Sequence, residues 1–159
     1  MDLFDKLAKR LAEEYKNYET RIEAEEGISY FVIVNPFWEE NIRISTEDGI
    51  IFYFSYQHDH FDYYAGFNEN IGDLINYINS YLNGERVCVE VFHEDENIFG
   101  GDRYLQDMDI SSGEAWLKSF IGYNAEVYES IYEHIKGRPC RCSIRSWNSA
   151  FNKDIDFVL

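Results

Sequence analysis

Residues 42–56, IRISTEDGIIFYFSY, decide the fold class of this chain. Two apolar runs, Ile42–Thr46 and Ile50–Tyr56, flank the short polar segment Glu47-Asp48-Gly49. Asp-Gly between alternating runs is a strong signal for a β-hairpin. Because a short turn joins strands that run in opposite directions, the sequence predicts antiparallel pairing.

Helical patterns lie on both sides of this hairpin. Apolar residues at steps of three and four predict an amphipathic helix from Leu3 to about Ile22. A second helix is predicted over Asn70–Asn83, with Asn70 as its N-cap. Residues 111–136 are predicted as two helices, the second over Ala125–Lys136, although residues 115–121 also fit a strand.

The remaining apolar segments have the composition of strands. The predicted strands are Ile28–Val34, Arg86–Phe92, a short one at Tyr104-Leu105 after a break at Gly100-Gly101, Cys140–Trp147 and Ile155–Leu159. We therefore expect an α+β fold, with a mainly antiparallel sheet and helices packed on one face. A length of 159 residues predicts a single domain over residues 1–159.

Composition excludes several classes of protein. Apolar residues make up 45% of the chain and aromatic residues 18%, which is too much for a disordered acidic tail. The formal net charge of −16 has the wrong sign for a protein that binds the nucleic acid backbone. We expect no nucleic acid partner.

The negative charge is unevenly distributed. Residues 111–159 contain six acidic and six basic residues, whereas residues 1–110 contain 24 acidic and eight basic residues. The whole excess of −16 therefore precedes position 111. One interpretation is solubility. The other is an acidic face that steers a basic partner toward the protein.

The cysteines and the N-terminus bear on the compartment. An odd number of cysteines, Cys88, Cys140 and Cys142, indicates reduced thiols. The N-terminal residues lack the apolar core of a signal peptide, and the longest apolar stretch, near Ile50–Phe54, is too short to span a membrane. We expect a cytoplasmic protein without a membrane partner.

Two histidines and an aspartate form the one motif that suggests metal chemistry. His58, His60 and Asp62 would share a face if the strand from Ile50 continued, and such a set can bind zinc or iron. The run resembles the His-x-His-x-Asp-His motif of the metallo-β-lactamase superfamily, with Tyr63 in place of the last histidine. The resemblance implies a metal-dependent hydrolase. The alternative is that both histidines end a strand and face water.

Other catalytic and metal motifs are missing from the sequence. Cys140-x-Cys142 lacks the second cysteine pair of a zinc site, so buried apolar thiols are the simpler interpretation. Glu94-Asp95-Glu96 suggests calcium, but Phe99 and Leu105 stand where an EF-hand needs Gly and Glu. No nucleophile elbow, phosphate loop or dinucleotide fingerprint occurs. We expect no cofactor and no catalytic residue.

Acidic turns and loop aromatics are the best candidates for binding a partner. Carboxylates at an exposed turn can meet Lys or Arg, and Tyr or Trp beside acids make good interface anchors. Packing of these aromatics onto the core would explain them equally well. The candidate binding residues are Trp38, Asp59, Asp62, Tyr63, Tyr64, Glu94, Asp95 and Glu96.

In size, charge and expected compartment, the chain resembles bacterial immunity proteins, which are small acidic antidotes to secreted toxin domains. This resemblance spans the whole chain and has no diagnostic motif. It implies a non-enzymatic protein that binds and neutralises a cognate, basic toxin domain. The alternatives are the metal-dependent hydrolase with His58, His60 and Asp62, and a scaffold or regulatory subunit. The oligomeric state stays open.

Overall fold

The computed structural model describes residues 2–61, 67–109, 111–122 and 124–159. The chain divides into two compact units, Met1–Leu82 and Asn83–Leu159. Each unit has its own sheet, and every strand pair in the described residues is antiparallel. The predicted α+β class with antiparallel sheets is confirmed. The single domain over residues 1–159 stays a prediction.

The first unit is a five-stranded meander with two helices. Its strands pair in chain order, from β1 to β5. The elements are α1 (Leu3–Glu14), β1 (Thr20–Glu25), β2 (Ile28–Ile33), β3 (Ile42–Ser45), β4 (Ile50–Phe54), β5 (Gln57–Phe61) and α2 (Phe67–Leu82).

Aromatic packing joins α2 to one face of this sheet. The Phe52 ring lies 4.9 Å from the Tyr77 ring and 5.2 Å from the Tyr81 ring, centroid to centroid. In the same unit, Leu7 and Leu11 of α1 are buried. The hydroxyl of the buried Tyr15 donates a hydrogen bond to Oδ1 of Asn79 at 3.1 Å. Burial of these side chains is the main stabilising contribution of the unit.

The second unit is a four-stranded sheet with two helices. Its strand order is β7-β6-β8-β9. The elements are β6 (Arg86–His93), β7 (Glu96–Tyr104), a 3-10 turn (Leu105–Asp107), α3 (Gly113–Ile121), α4 (Ala125–Ile135), β8 (Cys140–Arg145) and β9 (Lys153–Phe157).

The core of the second unit lies between one face of its sheet and the two helices. Alternate residues of β6 are fully buried there, and α3 contributes Trp116 and Phe120, whose rings lie 5.4 Å apart. Cys140 and Cys142 belong to the same core. Trp147, which the sequence predicts as the last residue of a strand, lies beyond the end of β8 at Arg145 and is also buried, with 1% of its surface exposed.

The predicted first helix is too long at its C-terminal end. The helix ends at Glu14, with Tyr15 as its C-cap, and residues 20–25 form β1 instead. Glu26 and Gly27, at φ of 53° and 84°, make the tight turn that pairs β1 with β2. Tyr18 and Ile22 fit the helical spacing, but Ile22 is 63% exposed, so that spacing marks no buried face.

The strand predicted over residues 50–56 ends at Phe54. Ser55, at a φ of 54°, and Tyr56 form a two-residue turn, and β5 returns antiparallel from Gln57. Phe54 is therefore buried while His58 and His60 are exposed. The strand from Ile50 thus does not continue to the histidines, as their predicted alignment with Asp62 assumed, although His58 and His60 still occupy alternate positions of β5.

Two further boundaries differ from the sequence-based prediction. The helix predicted from Asn70 begins at Phe67, so Asn70 is a helical residue and not the N-cap. Strand β7 runs through Gly100 and Gly101 without a break. At Gly101 an added Cβ would lie 3.7 Å from the Phe120 ring, which is an ordinary van der Waals distance, so α3 packs close to this strand without requiring glycine there.

The segment that fitted either a helix or a strand, residues 115–121, is helical. Its N-cap is Ser112, whose hydroxyl accepts a hydrogen bond from the backbone N–H of Ala115. Gly122, at a φ of 76°, ends the helix in the left-handed conformation that favours glycine. A capped start and a glycine stop thus decide the helix.

Candidate protein-binding surfaces

The turn between β6 and β7 carries three of the predicted binding residues. Glu94 and Asp95 form the turn, and Glu96 begins β7. All three side chains are exposed. We call residues Glu94, Asp95 and Glu96 the acidic tip.

Two carboxylates of the acidic tip have no protein partner among the described residues. No ion pair or side-chain hydrogen bond joins Glu94 or Asp95 to another residue in that part of the chain. Oε1 of Glu96 lies 3.5 Å from Nε2 of His134, and both side chains are about half exposed. The tip therefore presents concentrated negative charge to solvent.

The backbone of the tip is strained at one residue. Glu94 has a φ of 52°, in the left-handed region, where a side chain costs free energy that glycine avoids. Asp95 does not have a positive φ. A carboxylate thus occupies a position that backbone geometry alone would give to glycine or asparagine.

An open groove of about 620 Å³ lies beside Glu94. Phe92, Phe157 and Val158 provide its apolar surface, and Arg141 and Asp156 provide charge. Nδ1 of the neighbouring His93 is 2.8 Å from the carbonyl oxygen of Pro139, a hydrogen bond that fixes this end of β6. Apolar surface next to unpaired carboxylates suits the stem and head of a Lys or Arg side chain.

Residues 34–41, the loop between β2 and β3, form a second candidate surface, which we call the aromatic loop. Asn35 is buried and organises it. The backbone N–H of Asn35 donates to Oδ1 of Asn41 at 2.8 Å, and its Nδ2 donates to the carbonyl of Glu40 at 2.9 Å. The N–H of Phe37 donates to Oδ1 of Asn35 at 2.9 Å. These hydrogen bonds hold the loop in one conformation.

The aromatic loop exposes a residue that the sequence prediction left out. Phe37 is 57% exposed, whereas the predicted anchor Trp38 is half-buried, with its ring 6.0 Å from that of Phe54. Tyr56, in the turn between β4 and β5, is 71% exposed at the same end of the meander. Glu39 is exposed beside them. The number of local aromatics was visible in the sequence, but which of them pack inward was not.

The outer face of the first sheet carries ion pairs and rings. The guanidinium of Arg43 lies 3.9 Å from the Tyr30 ring centroid, and its Nη2 lies 2.8 Å from Oε2 of Glu25. The Tyr30 ring lies 6.0 Å from that of Tyr53, which is 6.3 Å from the ring of His58. Which of these side chains contact each other depends on the register of the strands, and the sequence analysis did not predict that register.

His58 and His60, which were predicted as metal ligands, lie on one face of strand β5, and Asp59 lies on the other. His58 and His60 are exposed, with ring centroids 5.5 Å apart. Asp59 lies opposite Phe52 in the ladder and is half-buried on the face where α2 packs. Asp62, Tyr63 and Tyr64 lie outside the described residues. Across residues 2–61, 67–109, 111–122 and 124–159, no three His, Cys, Asp or Glu side chains form a metal-binding group.

Several acidic residues after position 111 are ion-paired. Glu114 lies 2.7 Å from Lys118, Glu133 lies 2.6 Å from Lys136, and Asp154 lies 2.9 Å from Arg145, as nitrogen–oxygen distances. Burial opposes ionisation of Asp154, but hydrogen bonds from Arg145 and Ser143 outweigh it and lower the pKa of its carboxyl. The six acidic and six basic residues after position 111 thus balance in number, and several of them form ion pairs with one another.

The buried thiols and one half-buried carboxyl have shifted pKa values. Burial raises the pKa of the thiols of Cys140 and Cys142, so both stay protonated at neutral pH. Burial also raises the pKa of Glu90, although Asn97 donates a hydrogen bond to its carboxylate at 3.0 Å. Glu90 lies on the central strand β6.

Within the described residues, no helix has both the length and the apolar character that crossing a membrane requires.

Comparison with known proteins found no relative of this chain. No protein-family model matches the chain, and no match was found among curated proteins or among solved structures.

Proposed function

We propose that this chain is a non-enzymatic acidic binding protein that binds and neutralises a basic toxin domain. The observation that carries this proposal is the acidic tip, where Glu94 and Asp95 are exposed and form no ion pair with another described residue. Their negative charge is compensated when a partner supplies Lys or Arg. Such charge-assisted hydrogen bonds are stronger than those between neutral groups.

The strained backbone supports a binding role for Glu94. A non-glycine residue at a φ of 52° lowers stability, and strain of this kind often accompanies a functional site. The groove beside Glu94 adds apolar surface from Phe92 and Phe157. A basic side chain of the partner could place its aliphatic stem there and its charged head at Glu94.

The aromatic loop provides a separate anchor in the first unit. Phe37 is exposed on a loop that Asn35 already fixes, so little conformational entropy is lost when a partner covers it. The exposed Glu39 makes this surface acidic as well. The acidic residues of both surfaces precede position 111, in the part of the chain that holds the whole excess of negative charge.

The net charge affects the rate of association. A charge of −16 attracts a basic protein over distances near the Debye length, about 8 Å at physiological salt. Association with a basic toxin domain is therefore expected to be fast at low salt and slower as salt increases.

Co-purification with the product of a neighbouring toxin-like gene tests the proposal. We expect a stable complex at low salt. A complex at neither low nor high salt would contradict the proposed function.

Charge-reversal variants locate the contact. Glu94→Lys with Asp95→Lys is expected to weaken the complex strongly, because it places like charges against the basic partner. Glu126→Lys with Glu129→Lys changes the net charge equally on the exposed surface of α4 and serves as the matched control. Equal weakening by both pairs would contradict a specific role for the acidic tip.

A further inference from the structure

We propose that His58 and His60 form a two-imidazole site for a late first-row divalent metal ion such as Ni²⁺ or Cu²⁺. The residues occupy alternate positions of β5, so their side chains lie on the same side of the strand. Both are exposed, and their ring centroids lie 5.5 Å apart. This site is independent of the proposed toxin-binding function.

The separation of the rings suits a shared metal ion. With metal–nitrogen distances of about 2.0–2.1 Å, two imidazoles at neighbouring positions of a tetragonal ion have centroids roughly 4.5 Å apart. The two rings of this pair are therefore within a small side-chain rotation of that arrangement. Their planes are inclined by 79°, which lets a nitrogen of each ring turn toward a common point.

The position of the pair leaves the remaining coordination sites open. Strand β5 is at one end of the strand order of its sheet and pairs with β4. Tyr53 lies opposite His58 in the ladder, with ring centroids 6.3 Å apart. No third His, Cys, Asp or Glu in the described part of the chain completes a metal-binding group with the pair.

The ligand type decides which ions bind. Imidazole nitrogen suits nickel, copper and zinc, whereas magnesium and calcium prefer oxygen ligands. Affinity for nitrogen ligands rises from nickel to copper and falls again at zinc. We therefore expect Cu²⁺ to bind more tightly than Ni²⁺, and Mg²⁺ not to bind here.

Calorimetric titration of the full chain with NiCl₂ tests the site. We expect one Ni²⁺ per chain, and a loss of affinity of at least about tenfold in His58→Ala and in His60→Ala, because each variant leaves a single ligand in place of a chelate. His93→Ala and His134→Ala are matched controls that keep the pair and should bind as the native protein does. Circular dichroism verifies that each variant is folded.

Electron paramagnetic resonance of the Cu²⁺ complex gives an independent measurement. The spectrum is expected to show coupling to two imidazole nitrogens in the native protein and to lose it in the double variant His58→Ala, His60→Ala. Unchanged Ni²⁺ affinity in that double variant, or no Ni²⁺ binding by the native chain, would overturn the proposal. Neither result depends on a toxin partner, so failure of this site leaves the proposed function separately testable.

Discussion

Glu94 combines exposure, missing protein partners and an unfavourable backbone angle. Its carboxylate forms no ion pair within the described residues, and its φ of 52° is one that glycine adopts without strain. If folding alone determined this residue, glycine would serve better. Under the proposed function, the Glu94 side chain is retained because it binds the basic partner.

Substitution of Glu94 by glycine should separate stability from binding. We expect Glu94→Gly to raise the free energy of unfolding by roughly 1 kcal/mol, because it relieves the left-handed strain. The same variant should bind the basic partner more weakly. Urea denaturation measures the first effect, and titration with the partner measures the second.

Asp95→Gly is the control for this prediction. Asp95 lies in the same turn without a positive φ, so its replacement should give no stabilisation. Stabilisation of equal size in both variants would show that backbone strain at Glu94 is not the cause.

Glu90 makes stability depend on pH. Because burial raises its pKa in the folded protein, the fold binds the proton more tightly than the unfolded chain does. Its contribution to stability is therefore fully present below the unfolded pKa, about 4.3, and is lost as pH rises through the folded pKa. Glu90→Gln should stabilise the protein at pH 7 and have little effect near pH 3.

Urea denaturation of native protein and Glu90→Gln at both pH values checks this effect. Glutamine keeps an acceptor for the hydrogen bond from Asn97, so the comparison isolates the charge. A variant that is less stable at pH 7 would contradict the assigned direction of the pKa shift.

Some residues of the candidate site could be predicted from sequence and others could not. The acidic tip could be predicted, because three consecutive acidic residues directly follow a strand of alternating valines. Phe37 could not be distinguished from Trp38, because the tryptophan is half-buried through tertiary packing that includes the ring of Phe54.

At the scale of elements, the aromatic loop depends on one buried side chain. Asn35 accepts from the N–H of Phe37 and donates to the carbonyl of Glu40. Both bonds lie within the eight residues of the loop. Local hydrogen bonds therefore help to fix the conformation in which Phe37 is exposed, together with the packing of Trp38 against Phe54.

Asn35→Ala is expected to loosen this loop. Loss of the two side-chain hydrogen bonds should lower the free energy of unfolding by about 1 kcal/mol, because two partly buried backbone groups lose their partners. Limited proteolysis should then cut within residues 34–41 faster than in the native protein. Unchanged proteolysis and unchanged stability would show that Asn35 does not organise the loop.

Element boundaries were predicted best where turn chemistry is local. The Asp48-Gly49 turn and the helix that ends before Gly137 were recognisable from sequence. Strand β1 was missed because Tyr18 and Ile22 continue a helical spacing, and pairing with β2 overrides it. Strand β7 was predicted to break at Gly100-Gly101, but its pairing with β6 continues through both glycines.

At the scale of the whole molecule, both compact units are acidic. Residues 1–82 contain 16 acidic and six basic residues, and residues 83–159 contain 14 and eight, giving net charges of −10 and −6. The change of charge at position 111 therefore falls inside the second unit. Within that unit, Glu94 and Asp95, which form no ion pair with another described residue, precede this position, whereas Glu114, Glu133 and Asp154 are ion-paired beyond it.

The central claim is that the acidic tip steers and binds a basic partner. The most direct test measures the association rate constant with the co-purified partner at low and high salt, by stopped flow. We predict that Glu94→Lys with Asp95→Lys lowers this constant at low salt by about tenfold or more and flattens its salt dependence, while Glu126→Lys with Glu129→Lys changes it much less. Equal rate constants and equal salt dependence for the two variants would contradict the claim.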